Sequence, residues 1–353
     1  MRLFRIFNSL VPRVRITPRR AMQICGIIAA IGFPLHQATA QSQVRFGSVG
    51  GLTDAGLYLA DELGFFAEAG IVLEMKRMAS APTLLTSIAT NQLDVAGIST
   101  TPGMFTAAAQ GMKLRIVGDK QSVRPGFAAT RLVVRKELAK DTMAKTVQGL
   151  RGKIVAVSAK AGSSFFNTAA LLKEQGVDVS EVKVTQLAFP NMVAALTSGA
   201  IDAAYIIEPF LSEVISKDIA VDVSNAGDFS ATGVSRINVP LVYSEKFAER
   251  RDVAQAFMTA YIKGVRVYND AFVKGIKKEE VIGILASRAG VDPAIVRSSF
   301  PAGLDPNQEL NLDVINEMQD FFVKQGFMDA RVPLKGLVDP SFSEAAIARL
   351  GRY

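Results

Sequence analysis

The chain predicts an α/β protein built as two similar lobes joined by a two-strand hinge. Three observations predict it. Short β-branched runs alternate with helical patterns, the alternation of parallel α/β units. The same plan occurs twice along the chain. At 353 residues the chain exceeds what one hydrophobic core usually serves.

Taken in order, 44–46, 72–75 and 95–98 read as strands, and 57–69 and 83–90 as helices. The first unit runs VRFGSVGGLTDAGLYLADELGFFAEAGIVLEM and, after a helix, SIATNQLDVAGISTTP. The second runs KIVAVSAKAGSSFFNTAALLKEQGVDVSEVKV and, after a helix, ALTSGAIDAAYIIEPF. Each is strand, small-residue loop, helix, glycine turn (Gly70; Gly176), strand, helix, turn, aspartate (Asp94; Asp202), strand, proline (Pro102; Pro209). The glycines suit the left-handed residue that ends a helix. The aspartates suit a side chain that bonds its own tight turn ahead of a buried strand. Between the copies, 131–138 can carry the chain to lobe two, and 238–243 can carry it back. Two crossings make a hinge on which lobes close. The expected divisions are 1–40 leader, 41–130 first part of lobe one, 131–237 lobe two, and 238–353 return to lobe one with C-terminal helices. In 244–272, Phe247, Val253, Phe257, Tyr261, Val265 and Tyr268 recur at helical spacing and read as core. Asp292-Pro293 reads as an N-cap with first-turn proline, and 311–325 as an amphipathic helix.

Residues 1–40 hold Arg2, Arg5, Arg13, Arg15, Arg19 and Arg20, no acidic residue, an apolar run over 24–35, and the exit Ala38-Thr39-Ala40. That is the order of a cleavable secretory leader. The Arg19-Arg20 pair raises twin-arginine export as an alternative, although Pro18 stands where such signals carry Ser or Thr. The apolar run is short of the roughly 20 residues that span a bilayer. The expectation is a soluble exported protein, placed in the periplasm.

The single cysteine, Cys25, and single histidine, His36, lie inside this leader. The mature chain then has no disulfide, no Ser–His or Cys–His pair and no soft or imidazole metal ligand. Neither a cofactor nor a metal is expected. The net charge of +7 also belongs to the leader: without its six arginines, 34 Lys and Arg face 33 Asp and Glu. The doublets Arg250-Arg251 and Lys277-Lys278 are isolated, so nucleic acid is not an expected partner.

At the residues quoted above the chain resembles the type II periplasmic solute-binding proteins of ABC importers, in the group serving aliphatic sulfonates, taurine, nitrate and thiamine-pyrimidine precursors. The resemblance spans about 44–345, carried by AGLYLADELGFFAEAGIVLEM, LDVAGIS, LRGKIVAV, AGSSF, SGAIDAAYIIEPF and LVDPSF. It implies the periplasmic-binding-protein-like type II fold, a small-molecule ligand held between the lobes, a membrane permease as partner, and a monomer. Matched position by position, it places the ligand against Thr53, Asp54, Ser80, Ser99 and Thr100 of lobe one. From lobe two it places Gly162, Ser163, Ser164, Phe189, Asn191, Glu208 and Phe210 there.

Residues 162–165 have independent physical support, because a helix N-terminus presents unpaired N–H groups to an anion. The alternative is an ordinary serine N-cap. If Asp54 and Glu208 both face the cleft, a fully anionic ligand is disfavoured and a zwitterion or amine is favoured. Asp54 could instead cap its helix. Phe189 and Phe210 could stack on a planar ligand or belong to the core.

An enzyme is not expected. Members of the resembling group that make a pyrimidine depend on histidine and a cysteine-rich stretch, which the mature chain lacks. Ser180 and Lys183 match S-x-x-K on a helix-to-strand connection, and Asp54 with Glu208 is the one carboxylate pair to consider for acid–base work. A ligand-sensing receptor that docks a membrane sensor is a further alternative.

Overall fold

The computed structural model describes residues 41–124, 126–224 and 236–353. The leader expected over 1–40 lies outside the described residues. Two five-stranded mixed sheets organise the rest. The chain order is β1 (Ser42–Ser48), α1 (Ala55–Glu62), α2 (Phe65–Glu68), β2 (Ile71–Arg77), α3 (Ala81–Ala89), β3 (Val95–Gly97), α4 (Pro102–Ala109), β4 (Leu114–Val123), β5 (Thr130–Arg135), α5 (Met143–Gln148), β6 (Ile154–Val157) and α6 (Ser163–Glu174). It continues with β7 (Lys183–Gln186), α7 (Phe189–Ser198), β8 (Ala203–Ile207), α8 (Phe210–Ser216), β9 (Ala220–Asp222), β10 (Arg236–Ser244), α9 (Glu245–Glu249), α10 (Arg251–Lys274), α11 (Lys278–Ala289), α12 (Pro293–Ser298), α13 (Leu312–Lys324) and α14 (Ser341–Leu350).

The first sheet has the order β2-β1-β3-β10-β4 and the second β7-β6-β8-β5-β9. The repeat is therefore structural. β1, β2 and β3 stand to one another as β6, β7 and β8 do, paired in parallel. Each parallel triplet receives an antiparallel neighbour: β10 beside β3, and β5 beside β8. All five residues of β8 are buried, as in a strand covered by helices on both faces.

The two segments expected to form the hinge are each absorbed into one sheet, β5 into the second and β10 into the first. Each is bonded along most of its length to one neighbour and over three residues to a second, and so belongs to its lobe. In chain order the first sheet gives way to the second between β4 and β5, and the second to the first between β9 and β10.

Asp94 and Asp202 also act differently from expectation. Asp94 Oδ2 accepts the Arg45 backbone N–H at 2.9 Å, and its carboxylate takes the Arg45 guanidinium in bidentate fashion. Asp202 Oδ2 accepts the Ile154 N–H at 2.9 Å. Each aspartate thus ties the turn before one parallel strand to the neighbouring parallel strand, at the middle of β1 in the first half and at the first residue of β6 in the second.

The C-terminal helices close the first lobe. Phe257, Tyr261 and Val265 of α10 pack in one core with Leu57 and Leu59 of α1 and Phe46 of β1. Ile315, Met318 and Phe322 of α13 pack on Leu84, Ile88 and Phe105 of α3 and α4. Local signals explain the ends: Asp292 accepts from the Ala294 N–H and Asn311 from the Val314 N–H, capping α12 and α13. No helix of the described residues is long and apolar enough to cross a membrane.

Candidate ligand-binding cleft

A cavity of about 60 Å³ lies between the two sheets, with room for a solute of a few non-hydrogen atoms. It sits beyond the C-terminal ends of the parallel strands, where open α/β sheets take ligands. Lobe one supplies Thr53, Ser80, Gly97, Ser99, Lys120 and Gln121 to its wall, and lobe two Ser158, Ser163, Ser164, Phe189, Tyr205 and Ile207.

Two helices aim their first turns at it. α6 begins behind Gly162 with no side-chain cap, and α3 begins behind Ser80, again without one. The leading N–H groups of α6 carry partial positive charge, worth roughly 0.3–1 kcal/mol to an exposed anion and up to about 2 to a partly buried one, whereas α3 offers fewer donors because Pro82 in its first turn has no N–H. Ser164 is turned back onto its own loop, accepting the Ala159 N–H at 3.2 Å. Ser163 Oγ meets Ser99 Oγ at 2.5 Å, so the lobes touch across the cleft. Gly51 makes a second close approach: a Cβ there would stand 2.9 Å from the Glu208 carbonyl oxygen.

Lys120 is the charged residue of the wall, and sequence reasoning missed it. Only 2% of its side chain is exposed, and its ammonium lies 2.6 Å from Asp54 Oδ1 and donates to Thr53 Oγ1 at 2.7 Å. Its aliphatic stem crosses Gly97, where a Cβ would come within 2.9–3.1 Å of Cγ, Cδ and Cε. A signal was present: Asp119-Lys120-Gln121-Ser122 interrupts an apolar strand, yet all four are buried. Consecutive buried polar residues in β4 need partners, and Gln121 finds Thr130 of β5 at 2.9 Å.

Six of the residues named from the resemblance stand apart from the wall. Asp54 occupies the N-cap position of α1 but makes no side-chain cap. Its carboxylate is held by Lys120 and by the Ser48 hydroxyl at 2.5 Å. Glu208 is fully buried, accepting from the Ser212 N–H and hydroxyl and from the Phe300 N–H. Burial raises its pKa, against those donors. Phe210 opens α8, half-buried against the edge of a lobe-two core, and Asn191 is exposed on α7. Thr100 is buried beside the cavity residue Ser99, and Gly162 backs onto the Thr100 carbonyl and Thr101 methyl. The two carboxylates expected to oppose an anion are thus both turned to internal partners. Among its described lining residues the wall has one lysine and no carboxylate.

A family model described as "NMT1/THI5 like" matches residues 53–270, well over half of the chain. The chain belongs to the NMT1/THI5 like family. It is 25% identical over 317 residues to the taurine-binding periplasmic protein of Escherichia coli (strain K12), covering 86% of this chain and 93% of that one. The alkanesulfonate-binding protein SsuA of Xanthomonas axonopodis pv. citri, bound to MOPS, superposes with a TM-score of 0.67 at 23% identity, over 84% of this chain and 98% of that one. The desulfurization enzyme DSZB has a TM-score of 0.59 at 16% identity, over 88% and 99%. The architecture is therefore that of periplasmic binding proteins, shared also by an enzyme. The S-x-x-K match lies on an exposed connection: Ser180 donates to Asp178 within a capping box, and Lys183 opens β7 in solvent.

Proposed function

We propose that this chain is an exported solute-binding protein that captures a small organic anion between its lobes and delivers it to a membrane permease. The observation that carries this reading is the polarity of the cleft: two uncapped helix N-termini face it beside Lys120, whose charge is balanced by Asp54 behind the wall, and no carboxylate lines it among the described residues. Sulfonate or carboxylate head groups suit such donors. The names of the relatives, which concern alkanesulfonate and taurine, agree with that chemistry. Ligand would favour the closed arrangement by bridging Thr53, Ser80 and Ser99 of one lobe to Ser163 of the other, since it shifts the equilibrium only through better contacts in the closed state.

Thermal-shift screening of the mature chain with sulfonates, carboxylates, nitrate and pyrimidines tests the reading, because a native-state ligand raises the melting temperature by mass action. A hit among small anions that weakens in Ser163→Ala/Ser164→Ala supports it. No anion hit, or affinity unchanged by the double substitution, refutes it.

A further inference from the structure

We infer that the chain between α12 and α13 supplies a further, non-covalent link between the lobes, a pivot in which Phe300 of lobe one is seated in lobe two beside the two chain passages. The inference rests on the reading that the lobes turn to enclose a solute, and adds the point on which they turn. On both sides of Phe300 the segment belongs to lobe one. Val296, Ala302 and Leu304 lie in the core shared with α1 and α10. The Ala302 N–H donates to the Tyr268 hydroxyl of α10 at 2.7 Å, and the Gly303 carbonyl accepts the Ser122 N–H of β4 at 2.8 Å. Phe300 itself packs against the lobe-two core that holds Leu211 and Val214 of α8. Its N–H donates to Glu208 Oε1 at 3.1 Å, and Ser299 Oγ meets Ser212 Oγ at 3.3 Å. The Arg131 guanidinium lies over its ring, 3.3 Å from the centroid. Both partners of Phe300 are anchored at the passages. Arg131 Nε donates to the Ala128 carbonyl, between β4 and β5, at 3.1 Å, and its Nη1 donates to Asp222, the last residue of β9, at 2.6 Å. The Glu208 N–H donates to the Ala129 carbonyl at 2.8 Å. Parting the lobes here would break a charge-assisted bond and lift the guanidinium off the ring. Displacement in a rotation grows with distance from its axis, so contacts at the passages persist through a hinge motion, while Ser99 and Ser163, which meet across the cleft, separate.

Two engineered disulfides test the pivot. Cys25 is the single cysteine of the sequence, so an introduced pair supplies the only thiols of the mature chain. Ser212→Cys/Ser299→Cys locks the pivot and Ser99→Cys/Ser163→Cys locks the cleft. Both pairs should oxidise, because hydroxyls 3.3 and 2.5 Å apart place the two sulfurs within bonding reach. In small-angle scattering the pivot disulfide should leave the radius of gyration of the reduced form unchanged, and in calorimetry it should leave ethanesulfonate affinity unchanged. The cleft disulfide should make the protein more compact than its reduced form. Adding Phe300→Ala to the pivot pair should slow disulfide formation at least about fivefold, since the ring no longer holds the segment under Arg131. A pivot disulfide that compacts the protein or alters affinity overturns the inference. So does a cleft disulfide that leaves the dimensions unchanged, because the lobes then do not turn. Failure of the pivot pair to oxidise, or a rate indifferent to Phe300→Ala, overturns the link itself. If ethanesulfonate binds neither form, anion capture fails, and the scattering still decides the pivot.

Discussion

Asp54→Asn isolates the electrostatics of the cleft in one atom change. Asp54 is 1% and Lys120 2% exposed, and removing one partner of a buried ion pair costs about 3–5 kcal/mol. Asparagine keeps an acceptor for the Ser48 hydroxyl, and Lys120 keeps its 2.7 Å bond to Thr53, which places the loss near the lower limit. At about 2 °C per kcal/mol for a chain of this size, melting should fall by about 6 °C. A bound anion would then become the counterion that Lys120 lacks. The melting increase produced by saturating ethanesulfonate should therefore be larger in Asp54→Asn than in the parent chain. Differential scanning fluorimetry at fixed ionic strength, with and without the anion, reads both effects. A variant as stable as the parent, with an equal or smaller anion effect, would show that the pair does not govern the potential of the cleft.

Phe321 on α13 meets Phe165 and Phe166 of α6 at centroid distances of 5.3 and 5.4 Å. Because these contacts span the lobes and such pairs contribute about 0.5–1.5 kcal/mol each, Phe321→Ala should weaken ligand binding about fivefold or more, measured by calorimetry. It should also expand the protein in small-angle scattering. Gly97→Ala places a methyl against the Lys120 stem, and the overpacking should cost about 1–3 kcal/mol in chemical denaturation while lowering anion affinity. An unchanged affinity would show that the ammonium keeps its place. Burial, with the charge of Asp305 adding to it and Arg124 opposing, pushes the Asp119 carboxyl up to about 7 from an ordinary 3.8. The folded state then holds a proton that the unfolded chain has lost, so this group makes stability fall as pH rises from about 4 to about 7. At about 1.4 kcal/mol per pH unit that amounts to on the order of 4 kcal/mol. Denaturation curves of Asp119→Asn should lack this slope, and an equally steep slope in the variant would exclude Asp119 as its source.

The strand–helix order, the internal duplication, the caps at Asp292 and Asn311 and the apolar stripe of α10 are local properties. They follow from hydrophobic periodicity and side-chain-to-backbone bonding within a few residues, so the sequence alone determined them. It also marked Ser163 and Ser164 as the opening of a helix that could meet an anion, since a helix N-terminus is a local feature.

Which polar residues face the cleft was decided by the tertiary structure. Asp54 and Glu208 have the same chain context whether they point at solute or at protein. Only the arrival of β4 beside α1 gives Asp54 its lysine, and only the loop after α12 brings the Phe300 N–H to Glu208. Lys120 itself sits 66 residues beyond its partner, in a polar run whose local sequence does not say whether it meets solvent or protein. The contact that holds it in the cavity wall exists only once two distant segments pack, because burial of a charge is a property of everything around it.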